Sequence, residues 1–217
     1  MNISIDSVNR WFKSYRTAIL GHLRNAPRFS GEVEIDSSFF GRSRNDRAKY
    51  LKKLKLDDET IKKALEADHR RPRGGHIRVF AIIQRSDRKV YLEIVPDNSA
   101  ETLMPIIKKI VKRGSTVYSD GWRAFSKLKD KGYNHVVINH SISYSDGKGG
   151  HTNNVEGFWS FAKHRLRKFN GISRRTAIEH LKECEFRYNN RKDMASVLKL
   201  ILSPKSSRRG KRAKKLK

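Results

Sequence analysis

Residues 77–95 read IRVFAIIQRSDRKVYLEIV, two runs rich in β-branched and apolar residues split by the polar turn RSDR. Each run has the composition of a strand, from Ile77 to Gln84 and from Lys89 to Val95, and so short a break makes them neighbours in a meander. Upstream, EVEID (Glu32 to Asp36) alternates apolar and polar side chains and reads as an earlier strand ending on Asp36. Downstream, Ser99 is placed to cap a helix reaching about Val111. Glu101 in its first turn and Lys108, Lys109 and Lys112 near its end suit the helix dipole, and Gly114 stops it. Thr116 to Ser119 makes a fourth strand, with Asp120 closing the run STVYSD. Trp122 to about Lys131 makes a second helix closed by Gly132, and His135 to Asn139 a fifth strand. Helices from Asn153 to Phe169 and from Ser173 to about Arg191 follow, separated by Asn170 and Gly171. The order βββαβαβα predicts an α/β fold with a mixed five-stranded sheet flanked by helices.

Three segments lie outside this plan. Residues 1–27 hold one helix, from Ser7 to about Leu23 with Asp6 or Ser7 as N-cap. Its apolar residues Val8, Trp11, Phe12, Tyr15 and Ile19 recur at helical spacing among basic ones, as in a recognition helix or a helix packed on the main domain. Residues 42–75 form a long charged insertion between the first two strands, with DDETIKKALEADHRR as a short helix inside it. Residues 192–217 end in a basic stretch without acids and are expected to form a disordered tail that contacts phosphates non-specifically.

The 217 residues carry 49 Lys and Arg against 22 Asp and Glu, a formal charge of +27, which points to a polyanionic partner, DNA or RNA ahead of an anionic membrane. A hydrophobic content of 36% suffices for a core. Cys184 is the only cysteine, which excludes an intrachain disulfide and any zinc site built on several thiolates; it reads as a small buried residue. No apolar stretch approaches the roughly 18 residues of a membrane span, and no signal-peptide core opens the chain, so a cytoplasmic, nucleoid-associated protein is expected.

Asp36, Asp120 and Glu156 are the candidate catalytic residues. In a βββαβαβα fold the first and fourth strands are expected side by side, which brings Asp36 to Asp120, and Glu156 near the start of a later helix closes the site from above. Converging carboxylates in a basic protein suggest divalent-metal chemistry on a nucleic-acid phosphate, because paired cations offset the charge that shields a phosphodiester from attack. Lys163 follows Glu156 by seven residues, nearly two turns, and shares its face, where an ammonium group can hold a phosphate. His151 and Asn153 lie just before Glu156 and can orient ligands or touch substrate. Arg165, Arg167 and Trp122 are further candidate DNA contacts, the last through stacking on a base. Phe158, Trp159, Phe161 and Leu166 read as core.

The segments EIDSSFFG, YSDGWRAF, HTNNVEGFWSFAKHRLRKFNG and EFRYNNR, within residues 28–191, resemble the catalytic domain of bacterial insertion-sequence transposases of the DDE type, in the ISXO2-like branch. The resemblance implies an RNase H-like fold, with Asp36, Asp120 and Glu156 as the metal-binding triad and Lys163 as its basic companion. It implies Mg²⁺ or Mn²⁺, two ions, and no nucleotide cofactor. The implied reaction is hydrolytic cleavage of a strand at the element's end, followed by attack of the freed 3′-hydroxyl on target DNA, in a homodimer or larger assembly. Members of this branch carry a zinc ribbon and a helix-turn-helix before the catalytic domain, so residues 1–27 are expected to be a remnant of the latter. An RNase H-like nuclease that only hydrolyses, and an inert DNA-binding remnant, are the alternatives.

Overall fold

A computed structural model of the chain describes residues 3–41, 52, 57–60, 62, 77–120, 125–126, 128–138, 152–169, 172 and 175–203. Among them, β1 (Glu32–Phe40), β2 (Ile77–Gln84), β3 (Val90–Ile94), β4 (Thr116–Asp120) and β5 (Asn134–Ile138) form one sheet in the order β3-β2-β1-β4-β5. β2 runs antiparallel to both β1 and β3, whereas β4 is parallel to β1 and β5 parallel to β4. This mixed sheet, with its central strand flanked by the second and the fourth, has the RNase H-like arrangement. The helices are α1 (Ile5–His22), α2 (Ala100–Ile110), α3 (Asn153–Arg167), α4 (Ala177–Asn189) and α5 (Met194–Leu202).

Both faces of the sheet are covered, which is why β2 is apolar almost throughout. Phe80 and Ile82 join Val33, Ile35 and Val117 on one face, beneath Leu103, Ile107 and Ile110 of α2. Val79, Ala81 and Ile83 point to the other, beneath Val155, Phe158, Trp159 and Ala162 of α3 and Leu181 and Cys184 of α4. Cys184 is buried as expected, and burial pushes its thiol up to about 11. A smaller cluster of Ile19, Phe186 and Ile201 joins α1, α4 and α5.

The sequence-based boundaries hold closely for β2, β3 and α2, where Ser99 caps as expected by accepting from the Thr102 amide. β1 differs: it continues past Asp36 to Phe40, pairing Asp36 with Ala81 and Phe40 with Ile77. Ser37 and Ser38 interrupt the apolar alternation, but backbone pairing with β2 carries the strand through them. The helix predicted from Trp122 to Lys131 is, among its described residues, a 3₁₀ turn at Lys129–Lys131 ended by Gly132 at φ 85°. Phe125 and Leu128, three apart, both enter the core, as the three-residue period of a 3₁₀ turn favours; residues 121–124 lie outside the described set.

The helix expected from Ser173 begins at Ala177. α5 stands where the disordered tail was expected to begin. Asp193 caps it by accepting from the Ser196 amide at 3.3 Å, and Ile201 packs against Ile19 and Phe186. α1 is capped by Ser4 rather than Asp6 or Ser7 and, among the described residues, docks through its C-terminal half. Ile19 is buried while Trp11, Phe12 and Tyr15 are exposed. Most of the 42–75 insertion and residues 204–217 lie outside the described set. No helix among the described residues is long and apolar enough to cross a membrane.

Candidate active site

The site is built on the parallel pairing of β1 and β4. Their register sets Glu32 against Thr116 and Glu34 against Tyr118, so continuing it by two residues places Asp36 level with Asp120. Residues at even spacing along a strand share a face. Glu34, Asp36, Tyr118 and Asp120 therefore lie on the face that α3 covers, and α3 brings Glu156 in its first turn over that end of the sheet.

Asp36 is half-buried and held from two sides: the Trp159 indole Nε1 donates to its Oδ2 at 2.8 Å and the Ser37 amide to its Oδ1 at 2.7 Å. Burial pushes its pKa up to about 6. The two hydrogen bonds oppose that rise, and the charges of Asp120 and Glu156 add to it. Asp120 and Glu156 thus both lie within electrostatic range of Asp36, and negative charge at this point is unfavourable until a cation or a proton offsets it. Among the described residues, no three His, Cys, Asp or Glu side chains are gathered tightly enough to form a ready-made metal cage. The donor set nonetheless suits Mg²⁺ or Mn²⁺, which favour carboxylate oxygens; Mg²⁺ is commonly held by one or two carboxylates together with substrate phosphates rather than by an all-protein cage.

Glu156 is exposed and accepts from the Thr152 hydroxyl at 3.0 Å. Lys163 and Arg167, seven and eleven residues on, lie within about 20° of it around the helix axis, and both are exposed. Asn153, at the start of α3, is also exposed, on an adjoining part of the helix surface. Arg165 lies on the far side of α3, where its Nη2 meets Glu183 Oε1 at 3.3 Å beside Arg16 and Arg187. That ion-pair cluster belongs to the packing of α1, α3 and α4 and turns Arg165 away from the carboxylates. Trp122 and His151 lie outside the described residues.

Two residues that the sequence did not mark for the site prove central to it. Trp159 is core, as expected, at 4% exposure, but its indole N–H is also the clamp on Asp36. Its position three residues after Glu156 was the available signal. Glu34 is fully buried and accepts hydrogen bonds from Arg85, Asn154 and Val155 among the described residues. Its partners come from residues far along the chain, so no local pattern reveals it.

The sequence model of the ISXO2-like transposase domain matches residues 28–189. The chain is 40% identical over 116 residues to the "Uncharacterized transposase-like protein" of Haemophilus influenzae (strain ATCC 51907 / DSM 11121 / KW20 / Rd), a match covering 52% of this chain and 94% of that protein. Among solved structures, it is similar to a chain in the cryo-EM structure of the simian T-cell lymphotropic virus intasome in complex with PP2A regulatory subunit B56 gamma. There the TM-score is 0.42 at 9% identity, over 76% of this chain and 50% of that one, so the chain spans half the length of that relative.

Proposed function

The chain belongs to the ISXO2-like transposase family, and we propose that it cuts and rejoins DNA strands at the ends of an insertion sequence, with Asp36, Asp120 and Glu156 as its catalytic carboxylates. The observation that carries this reading is the raised proton affinity of Asp36 at a point where the register of β1 and β4 makes it level with Asp120 and where the charge of Glu156 is also felt. A carboxylate whose charge is disfavoured chiefly by burial, with two further acids adding to the cost, favours a divalent cation nearby.

Asp36, Asp120 and Glu156 would hold Mg²⁺ or Mn²⁺, two ions in the full site, which when bound activate a hydroxyl nucleophile and stabilise the leaving oxygen. The chain's own groups do the rest. Trp159 and the Ser37 amide fix the direction of the Asp36 carboxylate. Lys163 and Arg167, on the Glu156 face of α3, hold the DNA backbone beside the acids, and Asn153 contacts it near the helix start. The freed 3′-hydroxyl then forms a new bond to a target phosphate as that phosphate's original ester oxygen leaves, so bonds broken and formed balance and no nucleotide is consumed. The working assembly is a homodimer or larger complex that pairs two ends, acting on cytoplasmic, nucleoid DNA.

The test uses duplexes carrying the element's terminal repeats, a plasmid target and Mg²⁺ or Mn²⁺. The expected result is cleaved ends joined to the plasmid, with rates reduced at least about a hundredfold in Asp36→Asn, Asp120→Asn and Glu156→Gln. Cleavage without joining makes the protein a nuclease, and unchanged rates in the variants remove the proposed triad.

A further inference from the structure

A buried carboxylate in the middle of the sheet connects all three elements that carry the candidate acids. Glu34 sits on β1 two residues before Asp36, with no solvent exposure. Its Oε2 accepts from the backbone amides of Asn154 and Val155, each at 3.0 Å, and its Oε1 accepts from Asn154 Nδ2 at 2.7 Å. These amides belong to the first turn of α3, where a helix has no internal partners for its N–H groups. Thr152 makes no side-chain cap to these amides; its hydroxyl donates to Glu156. Glu34 is therefore the tertiary N-cap of α3, with its charge at the positive end of the helix dipole.

A hydrogen bond from Arg85 extends the connection to β4. Arg85 Nε donates to Glu34 Oε1 at 2.9 Å, and the same guanidinium lies 3.5 Å from the centroid of the Tyr118 ring. Tyr118 donates its hydroxyl to Glu32 Oε1 at 2.6 Å, and the Arg85 amide donates to the Glu32 carbonyl at 2.9 Å. Glu34 precedes Asp36 by two residues, Tyr118 precedes Asp120 by two and Asn154 precedes Glu156 by two. Each acid-bearing element is gripped at the same remove from its acid.

We infer that Glu34 is a positioning residue that locks β1, β4 and the first turn of α3 together and thereby sets the mutual placement of Asp36, Asp120 and Glu156. This rests on the proposed triad for its consequence, but not for its geometry. Outer groups that orient metal-binding side chains typically change metal affinity about 10- to 100-fold when altered. A carboxylate that merely filled the core would change stability alone.

Glu34→Gln keeps the shape but leaves one acceptor oxygen where two are used. The expected outcome is a folded protein in which the Asn154 and Val155 amides exchange with solvent about tenfold faster or more, while exchange at the Leu166 end of α3 is unchanged. Mn²⁺ binding, followed by electron paramagnetic resonance, weakens about tenfold or more. If Glu34→Gln does not fold, Asn154→Ala, which removes only the 2.7 Å side-chain bond, makes the same comparison. A folded variant with wild-type exchange at those amides overturns the inference, as does faster exchange with undiminished Mn²⁺ affinity. If the wild type binds no Mn²⁺ even with element-end DNA present, the proposed function fails, and the exchange rates alone then decide whether Glu34 holds α3.

Discussion

Asp36 is ionised at neutral pH against the preference of its surroundings, since burial and the neighbouring acids raise its pKa from 3.8 to about 6. A carboxyl group with a raised folded-state pKa stabilises the fold at pH below its unfolded value, and that contribution is lost as pH rises through the folded value. At pH 7.5 the folded protein carries the cost in full. Asp36→Asn removes the charge, at the loss of one acceptor for Trp159 or Ser37, and is expected to stabilise the metal-free protein by about 1 to 2 kcal/mol at pH 7.5. The gain should shrink between pH 6 and pH 4 and vanish below. Denaturant titrations across that range check it, and a variant less stable than wild type at pH 7.5 contradicts it. Asp36 was legible in the sequence because a strand carried it to a plausible place. Glu34 was not, because its partners at Arg85, Asn154 and Val155 come from remote segments and only the folded sheet and helix bring them to it.

Elements with local signals were read well. β2 and β3 announce themselves by composition, and α2 by its Ser99 cap and the lysines of its last turn. The continuation of β1 past Asp36 is not legible locally, because it depends on pairing with β2 rather than on its own alternation. α5 is hidden in the sequence by the basic residues that follow MASVLKLIL, although Asp193 as a cap and the apolar run mark it. Helix docking depends on a feature equally remote in sequence: Glu183, nearly buried, receives Arg16 from α1, Arg165 from α3 and Arg187 from its own helix, at 3.0, 3.3 and 2.8 Å. Burial alone would push the Glu183 pKa up, but the hydrogen bonds from Arg187 and Arg16 bring it below the usual value. Glu183→Ala leaves three guanidinium groups facing one another, and is expected to cost about 3 kcal/mol and to loosen α1. Thermal unfolding and limited proteolysis between α1 and β1 measure this; an unchanged melting temperature would show that the cluster holds nothing.

The whole molecule sets a cluster of acids within a chain of net charge +27. On the proposed function the positive field would gather DNA, and the acids would mark the place where its backbone approaches with divalent cations present. If six or more phosphates are neutralised, DNA affinity should fall about a thousandfold or more between 50 and 200 mM salt, and filter binding across that range tests it; a flat response contradicts a phosphate-led interface. The fold carries three acids far apart in sequence toward one end of a sheet: continuing the parallel register of β1 and β4 makes two of them level, and the first turn of α3 brings the third. The most direct test is anomalous diffraction from crystals of the protein with element-end DNA and Mn²⁺. Peaks with carboxylate oxygens of Asp36, Asp120 and Glu156 all within about 2.1 to 2.3 Å are predicted, whereas manganese bound elsewhere, or with any of the three beyond reach, contradicts the assignment.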